Sequence, residues 1–158
     1  MIYQVNKQAR SSQTGFTLIE LLIVIFIMAL LLSLTAVSLN SARAKARDIN
    51  RLSDVRQVQS ALELYFFNKS AYPIAENITL GSENYKVFCD TAAGFQGTEE
   101  GCGMIYFKQL PIAIVPPTDS AYIYNSSDGK SYTITFTLEK ETGSLSAGAH
   151  TATQEQIQ

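Results

Sequence analysis

The chain has 158 residues and a net charge of −2; only 16% of residues are charged, and 46% are apolar. That length bounds it to one modest domain plus an appendage. The charged fraction is well below the roughly 25% of an ordinary soluble domain. From position 57 onward five lysines face eleven acids, a balance that opposes phosphate contact, so no nucleic acid is expected as a partner.

The missing charge is concentrated near the start. Lys7 and Arg10 come first, with no acid among the first 15 residues, and the only charge between Arg10 and Arg43 is Glu20. Positions 21–42 are 22 consecutive uncharged residues. At about 1.5 Å per helical residue they span roughly 33 Å, enough to cross a hydrocarbon core of about 30 Å. A basic flank just before such a run predicts a single-pass membrane protein with a cytoplasmic N-terminus and an extracytoplasmic C-terminal part.

An ordinary secretory signal is cleaved after its apolar stretch. Here Ser11, Ser12, Gln13, Thr14 and Gly15 precede it, so a cut at Gly15 leaves the apolar segment on the mature protein. The short basic leader, Gly15 followed by Phe16, and Glu20 four residues later resemble the processing signal of the type IV prepilins. This family includes the pseudopilins of type II secretion. The resemblance is close over about the first third of the chain and architectural beyond it. It implies a leader at residues 1–15, removed by prepilin peptidase between Gly15 and Phe16, with N-methylation of the new terminal amine of Phe16. It also implies that Glu20 is an assembly residue. A carboxylate at the centre of a membrane helix costs about 2.5–3.5 kcal/mol, and less near an end, where the helix macrodipole favours it. Cleavage creates the compensating cation, so Glu20 of one copy can pair with the terminal amine of Phe16 on the next.

Residues 16–39 read as a membrane and filament-core helix half, and residues 40–67 as its amphipathic continuation. Ile49, Leu52, Val55, Val58, Leu62 and Tyr65 recur at steps of three and four, one helical face. Neither glycine nor proline interrupts positions 16–67, a continuous helix of about 78 Å. Many family members carry a proline in the apolar half that helps the helix unwind on assembly; Val37 and its neighbours offer none, which counts against local melting but not against the bundle. The five cations and two acids of positions 43–56 read as a shoulder of the helix beside lipid headgroups.

Pro73 restricts Tyr72 to extended conformations and ends the helix. A loop is expected over 77–84, and a short strand over 85–89. Cys89 and Cys102 are an even pair in an oxidising compartment and predict a disulfide, with a glycine-rich loop between them. The segment from Met104 to Leu110 fits strand or helix equally. The clearest β signal is residues 121–139, where alternating Tyr122, Tyr124 and Tyr132, Ile134, Phe136, Leu138 flank the hairpin dipeptide Asp128-Gly129. The fold class is therefore α+β: a long N-terminal helix packed on a small antiparallel β-meander sheet, the external domain covering 68–145 and a polar tail 146–158.

Candidate chemistry is sparse. His150 is the only histidine; no nucleophile has a visible base partner, no glycine-rich loop carries a lysine, and two cysteines with one distant histidine do not make a zinc site. The chain is not expected to be an enzyme, and no catalytic residue, metal or cofactor is assigned. The family's main pseudopilin generally carries a calcium loop, and Asp119, Asn125 and Asp128 lie in that territory. A calcium site needs six or more oxygens, and the downstream acidic loop is missing, so calcium is possible but unsupported.

The sequence therefore reads as a structural subunit of a type IV pilus-like filament, a homo-polymer stored in the lipid bilayer. It would be served by prepilin peptidase and by the membrane platform and assembly ATPase of a pilus or type II secretion system. One alternative is a pseudopilin of a type II secretion or DNA-uptake machine; another is an anchored binding module that never polymerises.

Overall fold

A computed structural model describes residues 15–117 and 120–158, apart from the side chains of 34–37. The leader before Gly15 and the acid Asp119 lie outside the described residues. The chain divides into two compact units, one ending at Asn40 and one comprising Ser41–Gln158.

Helix α1 runs Leu18–Lys69, 52 residues, as expected for a stretch free of helix breakers. It stops where Ser70 turns left-handed at φ 57° and donates its N–H to the Phe66 carbonyl at 2.7 Å, a local closure of the last turn. In the first unit every described side chain of positions 16–33 is exposed. This is the one helix among the described residues long and apolar enough to cross a membrane.

In the second unit α1 carries a buried seam at Ala44, Asp48, Arg51, Val55, Val58, Leu62 and Tyr65, alternating steps of four and three that hold one face toward the sheet. The expected apolar face is correct from Val55 onward and shifts before it. Ile49 is 53% exposed, because the charged pair Asp48 and Arg51 occupies the seam and rotates Ile49 to a flank.

The seam packs on a four-stranded antiparallel sheet of order β1-β5-β6-β7: β1 Ala75–Thr79, β5 Ile123–Ser126, β6 Thr133–Leu138 and β7 Gly148–Ala152. The inner face alternates as predicted: Tyr124 on β5, and Ile134, Phe136 and Leu138 on β6, are buried, as are Tyr122 and Tyr132 beside the strands. These tyrosines therefore fill the core rather than line a binding surface. Each such side chain taken from water contributes about 1.5–3 kcal/mol. The turn between β5 and β6 uses Gly129 at φ 68°, with Asp128 Oδ1 accepting from the N–H of Lys130 at 2.9 Å.

Two segments differ from expectation. Part of the loop expected over 77–84 is β1, whose Ile78 and Thr79 pair with Tyr124 and Ile123 across a register shift; Asn77, at φ 52°, supplies the irregularity that hid the strand's alternation. The expected polar tail 146–158 contains β7, paired with β6 from Ala152↔Ile134 to Gly148↔Leu138. Its small residues carry little β signal, yet His150 and Ala152 are buried, and the strand satisfies backbone groups that β6 would otherwise expose.

A second sheet, order β3-β2-β4, joins β3 Phe95–Gln96, β2 Val87–Cys89 and β4 Ile105–Phe107, so the segment that fitted strand or helix equally contains a strand. Cys89 and Cys102 are disulfide-bonded, with Cα atoms 5.7 Å apart. Asp90 Oδ1 accepts from the N–H groups of Gly103 and Met104 at 2.8 and 2.9 Å, closing the loop a second time. Replacing half-exposed Cys102 with serine should lower the stability of the folded chain by about 3 kcal/mol, seen as faster proteolysis under oxidising conditions; an unchanged digestion rate would show that the bridge carries no stability.

Candidate functional site

The site singled out by the sequence begins at Gly15, where a Cβ would meet nothing within 4 Å. Phe16 follows, 77% exposed, and α1 starts two residues later. Thr17 is the N-cap: its Oγ1 accepts from the N–H of Glu20 at 3.3 Å, and its hydroxyl lies 3.5 Å from Glu20 Oε2. Threonine followed three residues on by glutamate is the capping-box pattern, a signal present in the sequence at positions 17–20 and overlooked in reading it. The cap explains part of Glu20's position, since a carboxylate in the first turn also faces the positive end of the helix. Glu20 is exposed and makes no ion pair among the described residues, so its charge is available to a cation from outside.

A second constellation, which the sequence reading did not single out, lies at the start of the second unit. Arg51 is fully buried. Its Nη1 donates to Asp48 Oδ1 at 2.5 Å and to Glu139 Oε1 at 2.9 Å; its Nη2 donates to the carbonyls of Ile114, at 2.6 Å, and Pro116. Arg47 forms a fork on Glu139, with Nε to Oε1 at 2.7 Å and Nη2 to Oε2 at 2.6 Å. Asp48 accepts in turn from the backbone N–H groups of Glu139 and Lys140, at 2.9 and 2.8 Å. The cluster ties α1 to the end of β6 and to the proline-containing loop after Leu110. Two of the five cations assigned to a headgroup shoulder are thus internal fasteners, and Arg43, Lys45 and Arg56 remain exposed. The available signal was the spacing of Asp48 and Arg51 on the same seam as Val55, Val58 and Leu62.

Hydrogen bonds from Arg47 hold the Glu139 carboxyl at about 2, against an ordinary 4.5; burial acts in the opposite direction, and the bond from Arg51 adds to the lowering. Asp128 also lies below the carboxylate range, chiefly through the N–H of Lys130, which engages it in the turn. No group of three or more potential ligands is gathered for a metal among the described residues.

Residues 10–36 match the family model described as the prokaryotic N-terminal methylation motif. The chain is 42% identical over 67 residues to type II secretion system core protein G of Klebsiella michiganensis, covering 42% of this chain and 47% of that one. It is 36% identical over 64 residues to the protein of the same name from Aeromonas hydrophila, covering 40% and 45%, and 35% identical over 66 residues to that from Escherichia coli, covering 42% and 46%. The chain thus spans about half the length of the curated relatives it matches. No solved structure matches it.

Two outcomes follow for the ionic cluster. Arg51→Met leaves Asp48 and Glu139 facing each other without their shared cation, and should cost about 3–5 kcal/mol in chemical denaturation. The Glu139 carboxyl is depressed in the folded state, so its contribution is fully present above its ordinary pKa and fades as pH falls from about 4.5 toward 2. Stability of the parent should therefore drop more steeply across that window than stability of Glu139→Gln. Parallel curves would remove Glu139 from the pH response.

Proposed function

We propose, from the premise that the N-terminal third of this chain is a prepilin-type segment of the type IV pilin and type II secretion pseudopilin family, that the protein is a structural subunit of a pilin-like filament. In this reading prepilin peptidase cuts between Gly15 and Phe16, the amine of Phe16 is methylated, and the apolar half of α1 stores the subunit in the bilayer with the second unit extracytoplasmic. Assembly then exchanges lipid contacts for contacts with the same helix on other copies, and Glu20 pairs with the Phe16 amine of a neighbour. The observation that supports the reading is an exposed apolar helix whose first turn carries Glu20, an acid without an ion pair among the described residues, five residues after Gly15. A lone anion in such a segment is costly, and the cation released by cleavage is the nearest remedy that a second copy can bring.

The role is structural rather than enzymatic; the peptidase, the membrane platform and the assembly motor are separate proteins. Between a surface pilus and a secretion pseudopilus, the names of the curated relatives favour the second. Loss of protein export without loss of surface filaments would mark a pseudopilin, and filaments on cells that lack other pilins would mark a pilin.

Gly15→Val adds a branched side chain at the cleaved bond and should leave the precursor uncut, seen as an unshifted band on immunoblots. Glu20→Ala should be cut normally but polymerise poorly, so that electron microscopy shows processed protein without filaments. Normal filaments from Glu20→Ala would exclude the pairing, whereas absence of filaments from the parent chain would favour an anchored module that never polymerises.

A further inference from the structure

Five cations follow the apolar run at positions 43–56, and the structure separates them by what they touch. Arg47 donates to Glu139, and Arg51 to Asp48 and Glu139, so two cations face two acids and cancel. Arg56 is exposed but stands 13 residues after Arg43, about 20 Å along the helix. Arg43 and Lys45 are exposed on either side of buried Ala44; at about 100° per residue they flank the packed seam, one on each side. Neither makes an ion pair among the described residues. Positions 21–47 contain no acid, and exposed Glu141 follows exposed Lys140 directly, so these two add no net charge where β6 ends.

Their place along the chain decides what they meet. Both follow Ala42, the last uncharged position of the run, by no more than about 4.5 Å of helix. The headgroup layer is roughly 5–8 Å deep on each side of the hydrocarbon, so both charged heads fall within it. Orientation does not account for them, since the rule that sets it places cations on the cytoplasmic flank. In the proposed reading cleavage removes Lys7 and Arg10, and the processed chain then carries its nearest side-chain cations only at the outer end of the run.

We propose that Arg43 and Lys45 form a binding site for the phosphate groups of anionic phospholipids in the extracytoplasmic leaflet of the storage membrane. A guanidinium can grip a phosphate with two parallel N–H donors, and an ammonium meets one as a point charge. Both side chains have long apolar stems that run along acyl chains while their charged heads stay among the headgroups. An anionic lipid supplies an attraction that a zwitterionic lipid lacks, because the zwitterion's own ammonium offsets its phosphate. The site rests on the reading that the apolar half of α1 stores the subunit in a bilayer, and it names the lipid class that holds the subunit there.

The test places the full-length processed protein in nanodiscs of equal phosphatidylglycerol and phosphatidylcholine, and identifies the lipids that it retains by native mass spectrometry. The site requires retained phosphatidylglycerol to exceed phosphatidylcholine about fivefold. Arg43→Gln/Lys45→Gln should bring the two lipids to parity, while Arg56→Gln, beyond the headgroups, should keep the excess of the parent. All three side chains are exposed, so these changes leave the core intact. Equal retention by the parent, an excess that survives the double substitution, or an equal loss in Arg56→Gln would each overturn the site. An excess abolished by added inorganic phosphate would overturn it too, marking a site for free anions. Entry into the discs without the excess removes the site alone; a processed chain that does not enter them removes the storage reading with it.

Discussion

The apolar side chains of positions 16–33 are exposed, and the rest of the molecule has to be understood around that surface. Water is excluded as its resting medium, since each uncovered leucine or isoleucine forgoes about 1.5–3 kcal/mol of burial. In the proposed reading two media cover it, acyl chains and other copies of the same helix, and they are close to interchangeable in apolar character. That near-equivalence makes it possible for one segment to be stored in lipid and later packed in a bundle. Direction comes from the one group for which the two media differ. In that reading Glu20, which already bonds to Thr17, would find no fixed cation in acyl chains and a terminal ammonium in a bundle of processed copies.

The second unit holds its own part of α1 with an apolar seam from Val55 to Tyr65 and, earlier in the helix, with the Asp48, Arg51 and Glu139 cluster. A buried ion pair is a weak source of net stability compared with a well-packed apolar alternative. What it adds is specificity. Arg51 donates to two carboxylates and two backbone carbonyls at once, and few other registers of helix against loop would satisfy all four. In the same loop Ile112 and Val115 stay exposed.

Much of this was legible in the residues. An uninterrupted run without glycine or proline gave the helix, alternation around Asp128-Gly129 gave the central hairpin, and an even pair of cysteines gave the disulfide. The parts that escaped share a physical cause. The β7 segment Gly148–Ala152 is built of small residues whose strand character comes from pairing with β6 rather than from intrinsic preference. A bulge at Asn77 broke the alternation of β1. At the start of the amphipathic half, charge was equated with exposure, so Ile49 was placed inside and Arg51 outside; the structure reverses both, because Arg51 brings its partners with it. Thr17 was visible as a capping box but was overshadowed by the prepilin-like pattern of Gly15, Phe16 and Glu20 that overlaps it.

The proposed pairing depends most directly on the covalent state of the working protein, because a terminal ammonium at Phe16 would exist only after cleavage. Intact-mass and N-terminal peptide analysis of assembled material should find chains that begin at Phe16 and carry one added methyl group. Assembled, functional chains that still bear residues 1–15 would place the terminal cation far from Glu20 and contradict the proposed pairing.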